Sequence, residues 1–195
     1  MSAQPQTHAP NLGMQPTTFA NPMGINGFEF VEFAAPAGQG PKLHAFFRQM
    51  GFSATLKHKT RDITVYRQGG VNFLVNEEPD GFAADFALAH GPCASGFAIR
   101  FDKPVAEVFD TVIGNGGQAI GHKADSRAVA APVVKGIGDC MLYLVPSGQD
   151  VYGDYAPIPG ADPNPVGFGL TFIDHLTHNL YFGNMQKWSD YYERL

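Results

Sequence analysis

Apolar residues recur along this chain with two periods, one of two residues and one near 3.6, and the order in which the periods alternate repeats itself. Gly27 to Phe33 (GFEFVEF) is aromatic and β-branched enough for a strand, and a loop with Pro36, Gly38 and Gly40 follows. Pro41 suits a first helical position, and Leu43, Phe46, Phe47 and Met50 fall at i, i+3, i+4 and i+7. With Gly51 to cap it, a helix is predicted there. Ser53–Lys57, Ile63–Arg67 and Val71–Val75 read as three short strands, the last two joined through Gln68, Gly69 and Gly70 as a tight hairpin. The unit is βαβββ.

A second copy starts at Gly96, where Phe97, Ile99 and Phe101 alternate with Ala98 and Arg100. Asp102 and Pro104 open a helix whose Val105, Val108, Phe109 and Val112 repeat the earlier spacing, and Gly114 ends it. Gly117–His122 matches the second strand of the first unit, aligning with Phe52–His58. Gly136 and Gly138 mark a turn, and Cys140–Val145 matches Val71–Val75. Tandem βαβββ units with helices on one side of a curved sheet predict one α+β domain over about residues 25–150.

Residues 1–24, rich in Pro, Gln, Thr and Asn, show neither period and are expected to be a flexible tail. Residues 151–168, within a proline-rich stretch that carries two tyrosines, are expected to be a linker. Residues 169–195 read as the opening of a third unit: a strand over Gly169–Leu180, a turn at Phe182–Asn184, and a helix with Met185, Trp188, Tyr192 and Leu195 on one face.

The chain has 195 residues, 44% of them hydrophobic, enough to bury a core. A net charge of -5 without any Lys/Arg run argues against nucleic-acid or anionic-membrane partners. No stretch approaches the roughly 20 apolar residues of a bilayer span, and the N-terminal residues lack the basic and apolar parts of a signal peptide. A cytoplasmic protein is expected. Cys93 and Cys140, with no CxxC and no zinc-finger spacing, read as small core residues in a reducing compartment.

Chemistry concentrates on one candidate. On the strand over 169–180, Thr171, Ile173, His175, Thr177 and Asn179 share a polar face, while Leu170, Phe172, Leu176 and Leu180 lie opposite. His175 is thereby expected to face a wet or ligand-filled cavity, with His178 among the leucines. Three residues apart on a strand, the two rings cannot chelate one ion. A strand histidine of this kind is either a metal ligand or a hydrogen-bonded structural residue. The Gly-rich run 114–121 follows a helix instead of opening one and reads as a helix stop. His44, His58 and His122 read as structural, and His90 as part of a turn.

Specific runs carry a resemblance: NPMGINGFEFVEFA (21–34), VYRQGGVNFLVNEEP (65–79), HGPCASGFAIR (90–100), VKGIGDCMLYLV (134–145) and NPVGFGLTFIDHLTHN (164–179). Together with the tandem units they resemble the vicinal oxygen chelate fold and, within it, the bacterial 4-hydroxyphenylpyruvate dioxygenases. That resemblance implies an N-terminal unit pair without metal and a C-terminal pair holding Fe(II) through two His and one Glu, the first His matching His175. It implies 4-hydroxyphenylpyruvate and O2 as substrates, homogentisate and CO2 as products, a place in tyrosine catabolism, and a homo-oligomer. The second His and the Glu have no counterpart here, so these residues alone are expected to be inactive and to bind Fe(II) weakly. Two readings stand beside it: a 4-hydroxymandelate synthase, with the same substrate and metal, and a non-catalytic binding or assembly module whose third unit exposes an aromatic face.

Overall fold

The computed structural model describes residues 20–35, 38–120 and 127–195. The first unit forms as its pattern predicts: β1 (Ile25–Ala34), α1 (Gly40–Gln49), β2 (Ser53–His58), β3 (Ile63–Gln68) and β4 (Val71–Asn76). A short helix, α2 (Phe82–His90), then leads into the second unit, β5 (Cys93–Phe101), α3 (Val105–Gly114), β6 (Val133–Lys135) and β7 (Met141–Pro146). A last strand, β8 (Tyr155–Pro157), and a helix, α4 (Met185–Arg194), complete the described elements.

All eight strands join one sheet in the order β6-β7-β5-β1-β4-β3-β2-β8. β1 and β5, the first strands of the two units, pair antiparallel through Val31 and Phe97 at the centre. Each also lies parallel to the last strand of its own unit, β1 with β4 and β5 with β7. The sheet is therefore pseudo-symmetric about the β1–β5 seam. Among the described residues, the counterpart of β2 in the second unit is a single bridge, Ala119 to Val134, flanked by Ile120 N–H to the Val133 carbonyl. His122, expected to end that strand, lies outside the described residues, as does most of the expected N-terminal tail. The last residues of that tail are pinned: the Asn21 side chain exchanges two hydrogen bonds with the Ile25 backbone.

Alternation decides the layers. Along β7, Met141, Tyr143 and Val145 join Phe30, Ile63, Val65 and Leu74 on one face. Leu142 and Leu144 join Val108 and Val112 of α3 on the other. A strand buried on both faces reads as a continuous apolar run, and MLYLV does. On the helix face α1 inserts Phe47 among Phe33, Phe52, Tyr66 and Phe73, with ring centroids 5.1 to 6.0 Å away. Burying a Phe side chain stabilises by about 1.5–3 kcal/mol, before the edge-to-face geometry adds to it.

Two expectations are corrected. The segment read as a linker holds β8, whose Tyr155, Ala156 and Pro157 pair with His58, Lys57 and Leu56. Tyr152 and Tyr155 are buried in the main core there. The strand read over Gly169–Leu180 does not form: the segment is irregular and crosses the helix face, setting Ile173 and Leu176 against the apolar clusters of α3 and the sheet. A ladder needs a neighbouring strand to accept its amides, and among the described residues none lies beside it.

Candidate functional site

His175 sits in this crossing segment. Its ring is 74% exposed, and Nδ1 lies 3.0 Å from Oδ2 of Asp174. Ile173 and Leu176 turn inward on either side of it, over a cavity of about 440 Å³ walled by Val31, Phe33, Val71 and Phe73. Rather than facing into a wet or ligand-filled cavity, the imidazole stands at the rim of an apolar one, largely open to solvent. With no strand partner the face alternation is lost, and Ile173, placed on the polar face by the pattern, is an anchor instead. His178 does turn toward the protein, 5.8 Å from the Phe97 ring and stacked on Tyr192 at 6.2 Å. Desolvation there lowers its pKa.

The donor geometry of His175 suits a ligand. When Nδ1–H donates to the Asp174 carboxylate, the Nε2 lone pair is left free and the tautomer is set. One imidazole is a partial set, and among the described residues no three His, Cys, Asp or Glu side chains gather to hold a cation. The residues present thus fit one donor of a metal site and do not complete it.

Among the described residues, His44, His58 and His90 sit in contacts that hold the fold. His44 Nε2 contacts Glu77 Oε2 at 2.7 Å, and its Nδ1 lies 2.9 Å from the Tyr66 hydroxyl. His58 Nδ1 accepts the Thr60 and Arg61 amides at 3.2 and 3.1 Å. Burial, then the Arg61 charge, lowers its pKa and keeps that lone pair available. His90 ends α2 against Phe86, and Gly91 turns the chain with φ of 78°. Neither Cys93 nor Cys140 is in a disulfide, and burial pushes the Cys140 thiol up to about 12.

A polar cluster that pattern reading passed over lies on the face away from α1 and α3. Glu32, fully buried, accepts hydrogen bonds of 2.7 Å from the Asn76 side-chain amide and 2.7 Å from the Tyr143 hydroxyl. Tyr143 in turn accepts the Ala128 N–H at 3.0 Å, and Tyr155 donates to the Ala128 carbonyl at 2.8 Å. Desolvation raises the Glu32 pKa despite these donors and the nearby Arg61 charge. Glu29 joins the same face as the extra residue of a bulge: Phe28 pairs with Ile99 and Phe30 with Ala98, so Glu29 has no partner and reaches the Tyr152 hydroxyl at 3.0 Å. The signal was two glutamates inside an otherwise apolar strand. Packed beneath residues 128–131 and 152–155, these hydrogen bonds tie the central strand to both segments and hold the fold.

Comparison with known proteins falls on this architecture. A family model described as hydroxyphenylpyruvate dioxygenase, HPPD, N-terminal, matches residues 19–160. A 4-hydroxyphenylpyruvate dioxygenase from Pseudomonas sp. (strain P.J. 874) is 39% identical over 181 residues, 91% of this chain and 50% of that protein. The chain spans about half the length of such relatives. Among solved structures, a xylose isomerase-like TIM barrel/4-hydroxyphenylpyruvate dioxygenase fusion protein superposes with a TM-score of 0.77 at 26% identity, over 93% of this chain and 29% of that one. A mutant of 4-hydroxymandelate synthase from Streptomyces coelicolor gives 0.64 at 22% identity, over 86% and 51%, a likeness of fold alone.

Proposed function

The chain belongs to the hydroxyphenylpyruvate dioxygenase N-terminal family, and from that premise we propose that it is part of a 4-hydroxyphenylpyruvate dioxygenase converting 4-hydroxyphenylpyruvate and O2 to homogentisate and CO2 in tyrosine catabolism. The observation that carries the reading is the 39% identity to such a dioxygenase over 91% of the chain. A match of that extent reaches position 175 whichever end it leaves out.

Residues 25–158 supply a metal-free scaffold and residues 169–195 lead toward the catalytic part. His175 would hold Fe(II) as one ligand, through the Nε2 left free when its Nδ1 is engaged by Asp174. The iron, when bound, supplies the activation of O2, and this chain's task is to deliver one neutral imidazole in a set orientation. Among the described residues the donors are too few for tight binding, so these 195 residues alone turn over no substrate. The free cysteines favour a reducing, cytoplasmic setting. Self-association suits the aromatic side chains exposed around residues 166–185.

Titration with Fe(II), read by paramagnetic broadening of the histidine ring resonances, tests the assignment. His175 is expected to broaden at millimolar metal, and His175→Ala to abolish the response. An unaffected His175, or homogentisate formed by these 195 residues unaided, sinks the single-donor reading. 4-Hydroxymandelate synthase shares the fold, and any product that forms separates the two activities, homogentisate against 4-hydroxymandelate.

A further inference from the structure

Gly69 and Gly70 form the two-residue loop between β3 and β4, with Gln68 paired to Val71. Only Gly69 has a positive φ, of 54°, as a loop of type II′ requires at its first position. Nothing in the hairpin calls for glycine at 70. What calls for it is a segment a hundred residues later: a Cβ on Gly70 would overlap the Thr171 carbonyl oxygen, and one on Gly69 the Leu170 carbonyl. Both loop amides are in use there, Gly69 N–H donating to the Pro165 carbonyl and Gly70 N–H to the Thr171 carbonyl, each at 2.8 Å.

Gln68 completes the grip. Its side chain, fully buried, accepts the Phe168 N–H at 2.6 Å and the Leu170 N–H at 3.4 Å through Oε1, while Nε2 donates to the Met50 carbonyl at 2.9 Å. Gly167 is tight against the same group, since a Cβ there would meet the Gly51 carbonyl and the Gln68 side chain. A buried glutamine is stable only with its donor and acceptor both satisfied, and here they are satisfied by two distant stretches of chain.

We propose that Gln68, Gly69 and Gly70 form a clamp that fixes the path of residues 165–171 and so positions His175, four residues further on; this rests on the ligand reading of His175 given above. Gln68 is a positioning residue: it touches no metal or substrate and acts through the backbone that carries the imidazole. The three-residue run is thus explained by two demands, a turn at 69 and a crossing segment at 68 and 70.

The test uses the 195-residue chain and two variants. Gln68→Met keeps length and removes all three side-chain hydrogen bonds, and Gly70→Ala suits the hairpin while pushing the Thr171 carbonyl away. Both are expected to speed amide exchange at Phe168 and Leu170 by about tenfold or more, leaving amides of β1, β4 and β5 protected. They are also expected to shift the His175 ring resonances, which a loss of overall stability would not move. Unchanged exchange at 168 and 170, acceleration spread evenly over the sheet, or unmoved His175 resonances each overturn the clamp. Neither readout involves iron, so its failure leaves the ligand assignment intact, and an unresponsive His175 in the Fe(II) titration removes the assignment without touching the exchange result.

Discussion

Glu32 shows how one side chain on a central strand can set the pH behaviour of the whole domain. Its carboxyl has a folded pKa raised above 4.5, so between 4.5 and that raised value the folded state holds a proton the unfolded state has lost. Stability from this group is present below the unfolded pKa and declines as pH rises through the window, by up to about 1.4 kcal/mol per pH unit. Glu32→Gln keeps the shape and removes the ionisation. Denaturant titrations between about pH 4 and pH 8 should show the variant gaining on the parent as pH rises; a constant difference across the range would show that burial does not perturb the carboxyl. Tyr143→Phe acts in the opposite sense, because it leaves the Glu32 carboxyl short of a donor and the Ala128 N–H without an acceptor. A loss of about 2–4 kcal/mol is expected for two buried groups orphaned together, read from the same titrations. The sequence showed a glutamate in an apolar strand but not its partners, which lie 44 and 111 residues away. The expectation for His175 rests on a run of residues, and its exposure depends on tertiary neighbours that no local pattern encodes.

Among the elements, those with a clean period were legible and those held by distant contacts were not. α1 and α3 each carry an i, i+3, i+4, i+7 stripe and formed where expected. α2 does not: Phe82, Ala83, Phe86, Ala87 and Leu88 leave little polar face, so no stripe separates it from irregular chain. The alternation over 169–180 was real, yet with no ladder partner it made no strand. β8 shows the reverse case, three residues in a proline-rich stretch that pair because Tyr155 is drawn into the core. That makes Tyr155 the tie between the last strand and the first unit. Tyr155→Phe, losing one buried hydrogen bond to Ala128, should cost about 1 kcal/mol, while Tyr155→Ala, which also leaves a cavity, should cost about 3–5 kcal/mol. If calorimetry found the two variants alike, Tyr155 would hold the strand by its hydroxyl and not by packing.

At the scale of the molecule, the pseudo-symmetric sheet is open but keeps both of its edges short. β8 is three residues long and ends in Pro157, and β6 at the opposite edge is three residues long and carries Lys135. Short edges with a proline or a lysine resist strand addition by a second molecule. No helix among the described residues is long and apolar enough to cross a membrane. Most of the exposed large apolar side chains among the described residues lie in one stretch of chain, where Phe168, Phe172, Tyr181, Phe182 and Met185 are each more than half exposed. Scattered apolar residues need no explanation, but a run of aromatics in about 20 residues is the composition of a contact surface. If the protein self-associates, this stretch and not a sheet edge should carry the contact. Light scattering across a concentration series should show reversible association of the parent. Phe172→Lys together with Phe182→Lys should reduce it at least tenfold while leaving amide exchange in β1 and β5 unchanged, since both side chains lie outside the core. Association that survives the pair of lysines but disappears when β8 or β6 is altered would place the contact at the edges and refute the assignment of the aromatic run.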